Sequence, residues 1–200
     1  ITLLPGGTFE FERSNFSGSL DSRRLYGCDN RNRGFEFDGT VFVPITTGTS
    51  PDVPTHVCEH KNHLFFSFQS TVVHSSPGLP YNWTTLGGAS EMAMGDTVTG
   101  IKRLAGSQTT ATLEIACQES THILYGTGIS TWNPVMFKEG VGAAHYSLQN
   151  LGRMYAMDAH GVVDLYAVQE YGNFQQVTLT FPIQSFIDNK RSRVAASSVC

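Results

Sequence analysis

Gly34-Phe35-Glu36-Phe37-Asp38-Gly39-Thr40-Val41-Phe42-Val43 sets two strand-forming runs on either side of an Asp-Gly pair. Asp-Gly between β-rich runs is a strong short-range hairpin signal, because both central residues of a type I′ turn need positive φ. The same figure recurs downstream. His63 to Phe68 leads over Gln69-Ser70 into Thr71 to His74. Leu113 to Cys117 pairs with His122 to Tyr125 across Gln118-Glu119-Ser120. Met154 to Met157 pairs with Val162 to Tyr166 around Asp158-Ala159-His160-Gly161. Turn centres near residues 39, 70, 119 and 160 recur about every 40 residues, the footprint of β-propeller blades. Each blade is a four-stranded antiparallel sheet with two faces to cover, so neighbouring sheets must pack against it. His56-Val57-Cys58 and Val98-Thr99-Gly100-Ile101 read as weaker outer strands. The fold class expected is therefore all-β, with antiparallel sheets forming part of a β-propeller. A two-sheet β-sandwich has similar strand spacing and is the alternative.

Composition agrees with this. Gly, Thr and Ser fill 58 of 200 positions, against 4 Lys. Thr favours strands and Gly and Ser favour turns, while the scarcity of Lys and Ala disfavours long helices. Charged residues make up 15% of the chain, against roughly 25% in average soluble domains. The net charge of −4 leaves no excess of cations to neutralise phosphates, which argues against a nucleic-acid binder driven by counterion release. A hydrophobic fraction of 40% with 22 aromatic residues is too high for a disordered chain. No apolar run approaches the roughly 18 to 20 residues of a membrane helix, so no membrane partner is expected.

Three segments are expected. Residues 1–33 form an N-terminal connecting segment or a first partial blade, and residues 34–181 form propeller-like blades. Residues 182–200 form a short helix or connector and the start of a further strand. Pro182, Ile183, Phe186, Ile187 and Val194 have helical spacing, ending at the basic Lys190-Arg191-Ser192-Arg193. The chain begins Ile1-Thr2-Leu3, with no charged stretch ahead of a hydrophobic one, and reads as a segment of a longer protein. Charge is uneven along it: residues 34–189 carry 13 acidic and 5 basic side chains, and basic residues gather towards the ends. Basic ends on an acidic body suit contacts between neighbouring subunits.

Catalytic and metal signals are weak. His56, Cys58, His60 and His63 lie close together, but zinc sites pair such ligands with a second pair at a defined distance, and none follows. Cys28, Cys58, Cys117 and Cys200 show no CxxC pair, and Cys117 reads as a small buried hydrophobe. Asp158 with His160, or His145 with a serine, lacks any supporting hydrolase motif, and Asp158 and Gly161 suit a hairpin turn better. Gly87-Gly88 and Gly126-Thr127-Gly128 lack the lysine of a phosphate loop. The sequons at Asn15 and Asn82 are read as chance matches in a Ser/Thr-rich chain. No enzyme activity, cofactor, metal or catalytic residue is expected. Tyr81, Trp83 and Trp132 follow turn-rich stretches and are the candidates for an interface or for stacking on a ligand. Packing of each tryptophan between neighbouring sheets is the commoner use.

Taken together, these phrases resemble tailed-bacteriophage virion proteins. The resemblance is carried by Gly34 to Gly39, His56 to Ser67, Ser76 to Trp83 and Met94 to Ile101. Leu124-Tyr125-Gly126, Met157 to Val162 and Tyr171 to Phe174 complete it. It implies a β-propeller component of the tail or neck, of the nozzle or tail-hub type, located in the virion after assembly in the host cytoplasm. Its implied role is structural: a ring of copies around the DNA exit channel. Its implied partners are other copies, portal or adaptor proteins and tail-tip proteins, with genomic DNA passing through without specific binding. A carbohydrate- or host-receptor-binding propeller module of the tail is the alternative, and a glycosidase built on a propeller is a third reading.

Overall fold

The computed structural model describes residues 2–19, 22–104, 111–158, 161–168, 173–179, 182, 185 and 186. Its strands fall into four antiparallel sheets of four strands each. The first comprises β1 (Glu10–Ser14), β2 (Arg24–Cys28), β3 (Phe35–Phe37) and β4 (Phe42–Pro44). The second comprises β5 (Val57–His60), β6 (His63–Phe68), β7 (Thr71–His74) and β8 (Ser90–Ala93). The third comprises β9 (Val98–Arg103), β10 (Leu113–Cys117), β11 (Ser120–Tyr125) and β12 (Asn133–Glu139). The fourth comprises β13 (Gln149–Asn150), β14 (Met154–Asp158), β15 (Gly161–Val168) and β16 (Asn173–Thr178). Every sheet is built from consecutive strands, and none takes a strand from another. That is the organisation of propeller blades, whereas a Greek-key sandwich would interleave its strands between two sheets.

The first sheet takes β1 and β2 from residues 1–33 and β3 and β4 from the segment that follows. All four hairpins read from the sequence form. They are not equivalent, however. The turns near 70, 119 and 160 join second to third strands, whereas the turn near 39 joins the third to the fourth. The matching connection in the first sheet is the loop at 29–34, held by the buried Asp29, whose Oδ1 accepts the backbone N–H groups of Arg31 (3.0 Å) and Asn32 (2.7 Å). It carries no Asp-Gly signature, and its turn is the weaker of the two in sequence.

The Asp38-Gly39 turn also differs in kind from the expected type I′. Only Gly39 has a positive φ there, 102°, and Phe37 pairs with Phe42 across a four-residue loop. The Asp38 carboxylate accepts the N–H groups of Thr40 (2.8 Å) and Val41 (2.7 Å), which holds its pKa below the usual range. Two adjacent positive φ values occur instead at Lys61 (47°) and Asn62 (64°), between the paired His60 and His63. That is the tight hairpin the twist of paired strands favours. The expected strands at 56–58 and 98–101 do lie at the ends of their sheets, yet β5 and β9 are largely buried. The helix expected from Pro182 lies outside the described residues, apart from 182, 185 and 186. No helix among the described residues is long and apolar enough to cross a membrane.

The chain divides into two compact units. One holds residues 1–98 and 126–132, and the other holds 99–125 and 133–200. In the first unit, β2 and the second sheet share a core of Tyr26, Cys28, Ile45, Val57, Leu64, Phe66, Phe68 and Val73. His56 Nδ1 lies 2.8 Å from Glu10 Oε2 and ties β1 to the start of β5, with both side chains largely withdrawn from water. Glu10→Ala removes this bond beside a buried ring and is expected to cost on the order of 2 kcal/mol, measured by urea unfolding. In the second unit, Ala116, Ala143, Leu148, Met154, Ala156 and Val163 form the core, with Leu104 and Phe137 packed against it.

Candidate functional site

Alternation along β6 divides the second sheet into two unlike faces. Phe66 pairs with Val57 and Val73, and this face enters the core shared with β2. Phe65 pairs with Cys58 and His74, while His60 pairs with His63, so the opposite face carries three histidines around one phenylalanine. His60, His63 and His74 are 0%, 3% and 0% exposed. His63 and His74 each bond through Nδ1 to the Ser75 carbonyl, at 2.7 and 3.0 Å, and their rings are 4.8 Å apart. A carbonyl only accepts, so both rings carry the proton on Nδ1. Burial disfavours their charged forms: it lowers the pKa of His63 and takes that of His74 down to about 4.

Trp132 covers this histidine face. Its ring centroid lies 5.8 Å from His60, 5.7 Å from His63, 5.8 Å from Phe65 and 5.9 Å from His74. The loop that carries it is also held by Lys61, whose Nζ donates to the Gly126 carbonyl at 2.6 Å. Trp83 sits on the other face. It stacks on Phe66 at 5.4 Å with 13° between planes, and its Nε1 donates to the Pro80 carbonyl at 2.9 Å. The two tryptophans therefore occupy opposite faces of one sheet and cannot share a ligand platform. Tyr81 is 48% exposed, and its hydroxyl feels the Glu36 carboxylate. Partial burial, reinforced by Glu36, pushes its pKa up to about 12. Glu36 also accepts from the Tyr26 hydroxyl at 2.7 Å and lies 3.5 Å from Arg24 Nε.

The remaining sequence candidates do not converge. His56 is engaged with Glu10, apart from the cluster around Trp132. Among the described residues, no group of three or more His, Cys, Asp or Glu could hold a metal ion. Cys28, Cys58 and Cys117 are buried, and Cys117 is fully enclosed. His145 packs beside Tyr146 at 6.0 Å, and His160 lies outside the described residues.

An aromatic surface on the first sheet is the feature that residue-by-residue reading missed. Cross-strand register puts Phe11, Gly27, Phe35 and Pro44 in one row, and Arg13, Leu25, Phe37 and Phe42 in the next. Gly27 matters here, because a Cβ at that position would run into the Phe35 ring. Phe9 stacks on Phe11 at 5.8 Å with 8° between planes, and Phe35 stacks on Phe42 at 4.4 Å. Phe9 is 43% exposed and Phe11 is 48% exposed. The signal was present as Phe9-x-Phe11 and Phe35-x-Phe37, but which face each residue joined depended on the pairing.

No protein-family model matches the chain, and no curated protein matches it. Solved structures do. A crystal structure of BBS1N in complex with ARL6DN, soaked with lead, aligns at a TM-score of 0.55 and 14% identity, covering 84% of this chain and 53% of that chain. The same complex soaked with mercury aligns at 0.53 and 10%, covering 83% and 52%. The chain thus spans about half the length of the solved chains it matches. BBS1N is a β-propeller, and what this chain shares with it is the fold.

Proposed function

We propose that this chain is a structural component of a bacteriophage tail or neck. It assembles in the virion as a ring with copies of itself and with portal, adaptor and tail-tip proteins around the DNA exit channel. The observation that carries this reading is the aromatic face of the first sheet. Phe9, just before β1, and Phe11 within it stand exposed, backed by Phe35 and Phe42, where an assembling protein would bury them. The low net charge of −4 suits a channel component past which DNA slides without being gripped. In the solved structures of like fold, BBS1N is in complex with ARL6DN, which fits docking more than turnover. The carbohydrate-binding alternative is weakened because Trp83 and Trp132 lie on opposite faces and are engaged in packing.

Phe9→Ser combined with Phe11→Glu tests the reading. The double variant is expected to keep its sheet signature by circular dichroism and to weaken self-association by about ten-fold or more in analytical ultracentrifugation. Unchanged association would remove this face from assembly. Absence of the protein from purified phage particles by mass spectrometry would overturn the function itself.

A further inference from the structure

We propose that residues 126–132 form an acid-sensitive clasp, in which Trp132 is held over His63 and His74 while those rings are neutral and is released when they gain protons. Geometry carries the argument. Both Nδ1 atoms are committed to the single Ser75 carbonyl, so a second proton must go to Nε2. His74 Nε2 is buried, with no hydrogen-bond partner among the described residues. Protonation there creates a buried cation whose new N–H has no acceptor, with the His63 ring only 4.8 Å away. Trp132 packs against all three histidine rings, so lifting it is the movement that would admit water to them.

The charged and titratable groups facing the site are few. Cys58, Glu59 and His60 come from β5, Lys61 from the following turn, His63 from β6 and His74 from β7. Residues 126–132 contribute none. Glu59 favours a proton on His63 and so opposes the effect of burial, which is the larger influence. A cation–π attraction between imidazolium and Trp132 would also favour holding the loop, but it is small beside the cost of an unsolvated cation. The sign follows from the ring that burial depresses. An unfolded or uncovered histidine takes its proton near pH 6.5, while the covered His74 resists until about pH 4. The clasp is therefore fully closed above pH 6.5 and opens as pH falls from there towards 4.

The chain has two tryptophans, so Trp83→Phe leaves Trp132 as the sole reporter. Emission maximum and acrylamide accessibility are the readouts, because a nearby imidazolium quenches intensity without any movement. The expected result is a red shift and a several-fold rise in accessibility between those two pH values, while circular dichroism still reports intact sheet. His63→Gln with His74→Gln is expected to abolish the transition. If Trp83→Phe does not fold, hydrogen-exchange mass spectrometry on the unaltered chain serves, corrected for the pH dependence of intrinsic exchange. Loss of protection in 126–132 ahead of β6 supports the clasp. An unchanged Trp132, a transition that survives loss of both histidines, or opening only together with the sheets would overturn it.

Discussion

Glu114→Gln is expected to stabilise the protein by about 2 kcal/mol near neutral pH, against the usual direction of core substitutions. Glu114 lies on β10, an interior strand of the third sheet, and is 1% exposed. Neither carboxylate oxygen has a hydrogen-bond partner among the described residues. Burial pushes its pKa from 4.5 up to about 8. The folded chain thus keeps a proton that the unfolded chain gives up, and between these values stability falls as pH rises. At pH 7 the cost is about 3 kcal/mol, roughly 1.4 kcal/mol for each unit above 4.5. Glutamine removes that cost and returns part of it, because its amide also lacks partners. His63 and His74 titrate with the opposite sign below pH 6.5, so the informative quantity is the difference between the two proteins in denaturant unfolding. That difference should grow from about pH 5 to pH 8, and a difference independent of pH would refute the assignment.

Gly142→Ala is expected to cost about 3 kcal/mol or more, seen as a fall in Tm of roughly 6 to 12 °C. The segment 140–143 lies directly on the β10–β11 turn. Gly140 donates to the Glu119 carbonyl at 2.8 Å, Ala143 donates to the Cys117 carbonyl at 2.9 Å, and the Val141 carbonyl accepts from Thr121 at 3.0 Å. A Cβ on Gly142 would collide with the backbone carbonyl oxygens of Gln118 and Cys117. Backbone cannot rotate aside as a side chain does, so either the bonds on both sides or the turn must yield. At Gly128, where a Cβ meets open space, alanine is the matched control and should change stability little. A Gly142→Ala protein as stable as the control would mean that this segment is not seated on the turn.

Gln69-Ser70, Gln118-Glu119-Ser120, Asp158 to Gly161 and the strand-forming runs around them were enough to place three central hairpins. Hairpin pairing is local, set by the turn and by the period of two along each strand. The same logic failed where chemistry and geometry part. Lys61-Asn62 makes a tight turn with neither Gly nor Asp, and it sits inside a stretch whose histidines drew attention as ligands. Asp38-Gly39 has the stronger signature but closes a looser loop. Glu114 reads as one polar residue in an alternating strand, yet β10 is buried at every position, because an interior strand between covered faces has no solvent side.

By itself the sequence determined the class and the modules: all-β, antiparallel, consecutive hairpins at propeller spacing, with Tyr81, Trp83 and Trp132 marked by their turn-rich surroundings. Only the tertiary structure decided what those modules present. It placed Phe65 and Phe66 on opposite faces, and with them Trp132 and Trp83. It set His63 beside His74 across two strands and under a loop more than fifty residues away in sequence. It also set the exposed Phe9 and Phe11 against Phe35 and Phe42 on one face. Strand period and turn chemistry act between near neighbours, whereas burial, shared faces and depressed or raised pKa values depend on what distant segments bring against them.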